Sequence, residues 1–303
     1  MRDFDEQTIT QAVLTSFENT PDPRLRQILT SLTRHIHDFV RDIEPSFAEW
    51  RDCVDFLTRT GQICDEKRQE FILLSDTLGI SMLVDAINHR MPEGTTETTV
   101  LGPFFVVGAP ALPLGADISD GMSGEPLYVE GKVVSASGIP LAGATIDVWQ
   151  SDGEGFYDVQ MPERDNMALR AQFSADADGR FHFWSVRPSF YPIPYDGTVG
   201  DMLKATSRHP NRPAHIHFMI RHDGYEPLVT HLFDAESLYL DNDTVFGVKD
   251  SLIVPFEHKS SGTAPDGKAM DGSWHALNYA FGLKPAAGSV AASVASALAP
   301  AAA

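Results

Sequence analysis

The apolar residues of this chain change their period near residue 95, and that change bounds what the chain can fold into. Before it they recur at steps of four and three, as in Ile36, Val40, Ile43, Phe47, Trp50, Val54 and Leu57, which form one stripe along a helical surface. After it they alternate, as in PLYVEGKVV (126–134) and ATIDVWQ (144–150), the period of a strand with one buried face. Chain punctuation follows the same division, because only four of the 20 prolines and three of the 23 glycines lie in residues 1–95. The expected class is α+β. A helical domain over 1–95 precedes an antiparallel β-sandwich over 96–285, and a flexible alanine-rich tail occupies 286–303.

Pro45 interrupts the apolar stripe and removes a backbone donor, so it is expected to open a second helix rather than kink a long one. A further helix is expected from about Asp65 to Leu78, stopping at Gly79. The stripe itself fits either the core of a small helical domain or a seam between two copies of the chain. In the second part, a Ser-Gly-Ile-Pro turn joins the first two strands in a hairpin-type connection. The segment ALRAQFSADADGRFHFWSV (168–186) repeats the device around Asp178-Gly179. HIHFMI (215–220), PLVTHLF (227–233) and SLIVPF (251–256) are further strand candidates.

Charge narrows the partners. Against 42 Asp and Glu stand 23 Lys and Arg, a net charge of −19, which disfavours nucleic acid and anionic membrane surfaces. Residues 187–221 depart from this balance, carrying Arg187, Lys204, Arg208, Arg212 and Arg221 against only Asp196 and Asp201. Cys53 and Cys64 form neither a disulfide framework nor a CxxC pair, which fits a reducing cytoplasm. The first residues lack the apolar core of a signal peptide, and no run reaches the roughly 18 apolar residues that cross a bilayer.

The sharpest chemical feature is RPAHIHF at 212–218. On a strand, His215 and His217 project to one face about 6–7 Å apart along the chain and can converge on one ion, while Ile216 points into the opposite layer. A bare HxH is equally a pair of half-exposed sheet histidines. A metal site needs further ligands, and the residues alone leave these open among His209, His222, His231, the carboxylates, Tyr157, Tyr191 and Tyr195. Tyr157 follows the Gly-rich turn DGEGFY. Tyr191 sits in RPSFYPIPYDG, where Pro188, Pro192 and Pro194 stiffen the loop.

Taken together, ALRAQF, DADGRFHFWSV, RPSFYPIPYDGTVG and HPNRPAHIHF resemble the intradiol ring-cleaving dioxygenases. The likeness runs from about residue 45, through EFILLSDTLGIS and TVLGPFF, to about 257. It implies one non-haem ferric ion per chain, held by Tyr157, Tyr191, His215 and His217. Phenolate oxygens stabilise the ferric state, so the metal activates the organic substrate rather than oxygen. A catechol dianion that displaces hydroxide and Tyr191 leaves the buried charge balanced, with Tyr191 taking a substrate proton. The resemblance assigns Arg212 to steadying the anionic substrate. It places Leu73, Asp76, Val100, Leu101, Gly102, Pro103, Phe104, Ile193 and Pro194 around the substrate ring.

Leu73 and Asp76 are three apart on an expected helix and share a face. A carboxylate in an apolar wall suits a third ring hydroxyl, which favours hydroxyquinol (benzene-1,2,4-triol) and O2 as substrates and 3-hydroxy-cis,cis-muconate (maleylacetate) as product. Catechol or a chlorocatechol is the alternative substrate. A non-catalytic β-sandwich binding module and a ferrous extradiol enzyme are the rival readings. The resemblance further implies a homodimer through the N-terminal helices, with a lipid in the interface.

Overall fold

A computed structural model describes residues 2–65, 68–161, 164 and 166–288. The expected tail lies outside the described residues from 289 onward, as do residues 66 and 67 of the helix expected from Asp65. Two compact units divide the chain between Gln62 and Ile63.

The first unit is helical: α1 (Ile9–Ser16), α2 (Pro23–Ile43) and α3 (Phe47–Ile63). Asp22 caps α2 by accepting from the Arg24 amide, and Pro23 occupies its first turn, where a missing N–H costs nothing. The break falls at Pro45 as expected, but Pro45 lies in the linker. The opening of α3 is made instead by Ser46, whose amide and hydroxyl both donate to the Glu49 carboxylate, the reciprocal arrangement of a capping box. Every residue of the stripe from Ile36 to Leu57 is exposed, and α2 buries none of its side chains, so the stripe is not the interior of a helical core.

The second unit begins with α4 (Glu70–Thr77) and α5 (Ile80–Asn88), separated by Gly79 at φ 73°, a conformation open to glycine. The strands are β1 (Pro126–Ser135), β2 (Thr145–Gln150), β3 (Arg170–Ser174), β4 (Arg180–Val186), β5 (Tyr191–Pro192), β6 (Asn211–Arg212), β7 (His215–Arg221), β8 (Leu228–Asp234), β9 (Ile253–Val254), β10 (Glu257–Lys259), β11 (Gly262–Thr263), β12 (Ala269–Met270) and β13 (Trp274–Leu283). A short helix, α6 (Thr198–Ala205), lies between β5 and β6. One sheet has the order β10-β13-β1-β4 and the other β3-β2-β7-β8-β9.

Their inner faces share one core, in which Leu127, Val129, Phe181, Phe183, Leu277 and Phe281 of the first sheet meet Ile146, Val148, Phe173, Ile216, Phe218 and Ile220 of the second. Phe173 stacks on Phe183 across the layers at 5.1 Å between centroids, and Phe218 meets Phe281 at 4.8 Å.

The α+β class holds, with two corrections. The sheets are mixed rather than antiparallel, because β13 joins β1 in parallel and β9 joins β8 in parallel. Both arrive by long connections, which parallel pairing requires. The two expected hairpins are not strand pairs either: β1 and β2 belong to different sheets, as do β3 and β4. The tight turns exist, with Val134 bridged to Pro140 and Gly179 donating to Asp176, but the chain then crosses from one layer to the other. Burying two apolar faces against each other outweighs local strand pairing there. Among the described residues, no helix is long and apolar enough to cross a membrane.

Candidate metal centre

β7 carries the site. Its inward residues Ile216, Phe218 and Ile220 fill the core, and the alternation sends His215 and His217 to the opposite face, where each is 1% exposed. The ladder sets Trp149 of β2 beside His217 on one side and His231 of β8 on the other.

Two loops bring the tyrosines. Gly155, at φ 91°, turns the chain after β2, and a Cβ there would stand 2.8 Å from the Phe190 carbonyl oxygen and 3.1 Å from Tyr191 Cβ. Only a residue without a side chain lets the two tyrosine loops approach this closely. Tyr157 then opens a 3-10 turn, its amide donating to Gln160 Oε1. The next residue, Asp158, pairs with Arg170, whose Nη1 donates to the Phe104 carbonyl at 2.9 Å. Tyr191 is fixed by a two-residue ribbon that places it opposite Arg212.

Four polar atoms converge as a result. Tyr157 Oη lies 3.1 Å from His217 Nε2 and 3.4 Å from Tyr191 Oη. Tyr191 Oη lies 3.4 Å from His215 Nε2, and the two Nε2 atoms are 3.1 Å apart. Donors about 2.0 Å from a common ion have neighbours at these separations. His215 Nδ1 donates to the Pro213 carbonyl at 2.7 Å, which fixes the tautomer and leaves the Nε2 lone pair facing the other three atoms.

Burial, reinforced by the Arg212 charge, lowers His215 to about 3, and burial followed by His215 and Arg212 holds His217 well below its ordinary value. Both imidazoles are therefore neutral near pH 7, as ligands must be. Burial and the neighbouring Tyr191 hydroxyl hold the Tyr157 phenol well above its usual range, so its phenolate needs a bound cation.

Arg212, 3% exposed, has its Nη1 3.4 Å from His215 Nε2. Leu73 and Ile193 meet in one buried cluster with Val199, Leu203 and Val245. Asp76, on the same helix as Leu73, is 7% exposed; burial raises its pKa, while a hydrogen bond from Ser81 and the charge of Arg212 oppose the shift. In the 100–104 loop, a Cβ on Gly102 would stand 3.1 Å from His217 Cε1, and Phe104 stacks on Tyr157 at 4.4 Å. Val100 and Pro194 are half-buried, while Leu101 and Pro103 lie on the exposed side of their loop.

Of the other candidates named in the sequence, Tyr195, His209 and His222 have their contacts elsewhere. Tyr195 is 47% exposed beneath Lys204. His209 Nδ1 accepts from the Asn211 amide, and His222 Nδ1 donates to the Asp223 carbonyl.

Two sections of the chain match sequence models of known families: residues 100–285 match the family described as Dioxygenase and residues 22–96 the one described as Catechol dioxygenase N terminus. The chain is 51% identical to a 6-chlorohydroxyquinol 1,2-dioxygenase of Cupriavidus pinatubonensis over 87% of this chain and 95% of that one. It belongs to the intradiol ring-cleavage dioxygenase family. A hydroxyquinol 1,2-dioxygenase of Nocardioides simplex is 47% identical over 93% of this chain and 96% of its own. Among solved structures, hydroxyquinol 1,2-dioxygenase from Pseudomonas putida DLL-E4 superposes with a TM-score of 0.88 at 47% identity, covering 93% of this chain and 99% of that one.

As a member of the intradiol dioxygenases the chain is an enzyme, and the family implies a non-haem iron. The convergent donors fit a metal ion, and the site of this dioxygenase is richer than its motif suggested. Three imidazoles, His215, His217 and His231, offer nitrogens within 4.8 Å of one another, and His231 is fully buried. Burial holds His231 well below its ordinary pKa, and the neighbouring His217, His215 and Arg212 add to the shift. Trp149 and Asp243 also went unassigned in the sequence. Neither lies in a local motif, and each reaches the site only through the ladder or a distant loop.

Proposed function

We propose that this intradiol dioxygenase uses one ferric ion per chain, held by Tyr157, Tyr191, His215 and His217, to cleave hydroxyquinol with O2 to 3-hydroxy-cis,cis-muconate, the enol form of maleylacetate. The observation that carries this reading is the closed set of two phenols and two neutral imidazoles with neighbouring atoms 3.1–3.4 Å apart. Two anionic oxygens and two neutral nitrogens suit a hard, triply charged ion. An iron ion held there would supply a chelation point for the diol as its dianion and would make the ring carbons reactive toward oxygen, both atoms of which enter the product.

The protein's own groups do the rest. Tyr191, held on its ribbon opposite Arg212, accepts a substrate proton at Oη. Arg212 donates from Nη1 to the negative charge that develops on the ring oxygens, in a site closed to water on the strand side by a fully packed core. Phe104 and Ile193 present apolar surface to the ring, and Asp76 accepts from the third hydroxyl, a contact plain catechol cannot make. The names of the relatives at 47–51% identity support the triol over a diol.

The exposed stripe of α2 and α3 suits a homodimer seam, and sedimentation of the purified protein checks it.

Product analysis tests the central reading. Hydroxyquinol with 18O2 is expected to give a ring-opened diacid carrying both labelled atoms, from a red-brown protein with a visible tyrosinate band. A yellow semialdehyde from a colourless protein would overturn it in favour of extradiol cleavage.

A further inference from the structure

We propose that Asp243 is the positioning residue that aims the Arg212 guanidinium at the four-donor site, a role that rests on the function proposed above for Arg212. A guanidinium offers its donors along distinct edges. Asp243 occupies one edge completely: Arg212 Nε donates to Oδ1 at 3.1 Å and Nη2 to Oδ2 at 3.2 Å, a bidentate pair buried on both sides. The remaining nitrogen, Nη1, is the one turned toward His215 Nε2 at 3.4 Å. The clamp thus decides which donors face the site.

Asp243 has no capacity left for another task. Its oxygens also accept from the backbone amides of Val245 (3.3 Å) and Gly247 (2.9 Å), so both lone-pair sets are filled. Burial pushes this carboxyl up while the Arg212 charge and hydrogen bonds pull it further down, and it stays an anion without a proton to give.

The surrounding loop is built to hold the pair. Tyr239 and Phe246 adopt left-handed backbone at φ 70° and 59°, which side-chain-bearing residues rarely do. Gly247 leaves room behind the guanidinium, since a Cβ there would stand 2.9 Å from Nη2 and 3.2 Å from Asp243 Oδ2.

The test is a double-mutant cycle on the iron-loaded enzyme, using Asp243→Asn, Arg212→Gln and the double variant, with hydroxyquinol turnover, KM and the visible band as readouts. Asp243→Asn is expected to lower kcat by roughly 10–100-fold with KM changed less than about 3-fold and the band unmoved. In the Arg212→Gln background it is expected to add nothing. Losses that multiply in the double variant, or a band lost with Asp243→Asn alone, would overturn the proposal, because the carboxylate would then act elsewhere.

If Asp243→Asn does not fold, Gly247→Ala decides. It keeps the carboxylate and crowds the pair from behind, at the guanidinium first and at Asp243 Oδ2 second, so it is expected to lower kcat with the band intact, and unaltered kcat would sink the proposal. An Arg212→Gln enzyme with wild-type kcat would remove the role given to Arg212 itself. A strong loss in Arg212→Gln beside a silent Asp243→Asn would remove only the role given to Asp243.

Discussion

The indole of Trp149 lies flat against the imidazole of His217, with ring centroids 4.6 Å apart and planes 15° from parallel. Strand register produces the contact, since Trp149 and His217 are direct partners on β2 and β7. The stack matters because, among the described residues, His217 Nδ1 has no hydrogen-bond partner, in contrast to His215 Nδ1 on the Pro213 carbonyl. A metal-binding histidine is usually oriented through its second nitrogen. For the ligand role proposed for His217, packing takes that place, with Trp149 on one face and Gly102 and His231 at close range.

Trp149→Leu is therefore expected to weaken iron retention by roughly 10–100-fold, the range found when a ligand loses its orienting partner. Trp149→Phe, which keeps a flat ring, is expected to recover most of it. Iron content after dialysis against a chelator distinguishes the two. Equal retention in Trp149→Leu and the parent would show that the stack orients nothing.

Tyr157→Phe removes one of the two phenol oxygens while leaving the stacking of Phe104 on that ring in place. Since substituting a mere supporting partner costs up to about 10²-fold, loss of a donor is expected to exceed roughly 10²-fold in affinity. Most of the visible band is expected to vanish with it. An unchanged spectrum in the reconstituted variant would take Tyr157 out of the donor set.

The fold class was legible because the period change near residue 95 reports which faces are buried, and His215 with His217 was legible because two residues apart on a strand share a face. Strand partners were not legible. The turns at Ser137-Gly138 and Asp178-Gly179 look alike whether the chain returns within one sheet or crosses to the other, and only the shared core of both sheets decides. β13 joins β1 from more than a hundred residues away, so no local pattern announces their parallel register. Asp243 was hidden for the same reason, its partner Arg212 lying 31 residues earlier. His231 stood out by type alone and found its place only through its pairing with His217.

Gly155 makes the approach of the two tyrosine loops possible, and its replacement tests that claim. Gly155→Ala adds a methyl group against the Phe190 carbonyl and Tyr191 Cβ at a residue whose φ is 91°. Strain and overlap together are expected to cost about 1–3 kcal/mol, read as a lower urea midpoint at unchanged m-value. Iron content is expected to fall as well, because the Oη atoms of Tyr157 and Tyr191 separate. A variant with the parent's midpoint and iron content would contradict the spacing argument.

The substrate contact proposed for Asp76 is expected to tie stability to substrate choice. Burial raises its pKa above the ordinary carboxylate value, and a group with a raised folded-state pKa binds more protons folded than unfolded. For an acid the sign follows directly: its ionised form at neutral pH is a cost to the fold, relieved as pH falls through the raised value toward the unfolded value of 3.8. Replacing it with Asp76→Leu is expected to raise Tm by a few degrees, at about 2–4 °C per kcal/mol for a unit of this size.

The same change is expected to cost hydroxyquinol roughly 10–100-fold in kcat/KM relative to catechol, the worth of about 1–3 kcal/mol when a polar substrate group is left unpaired. In the parent enzyme, the acid limb of the hydroxyquinol profile is expected above the ordinary carboxylate range, and in Asp76→Leu that limb disappears. Thermal denaturation and paired kinetics across pH 4–8 read both effects. A more stable Asp76→Leu with an unaltered ratio of hydroxyquinol to catechol turnover would leave Asp76 as a buried liability and move the discrimination to another residue.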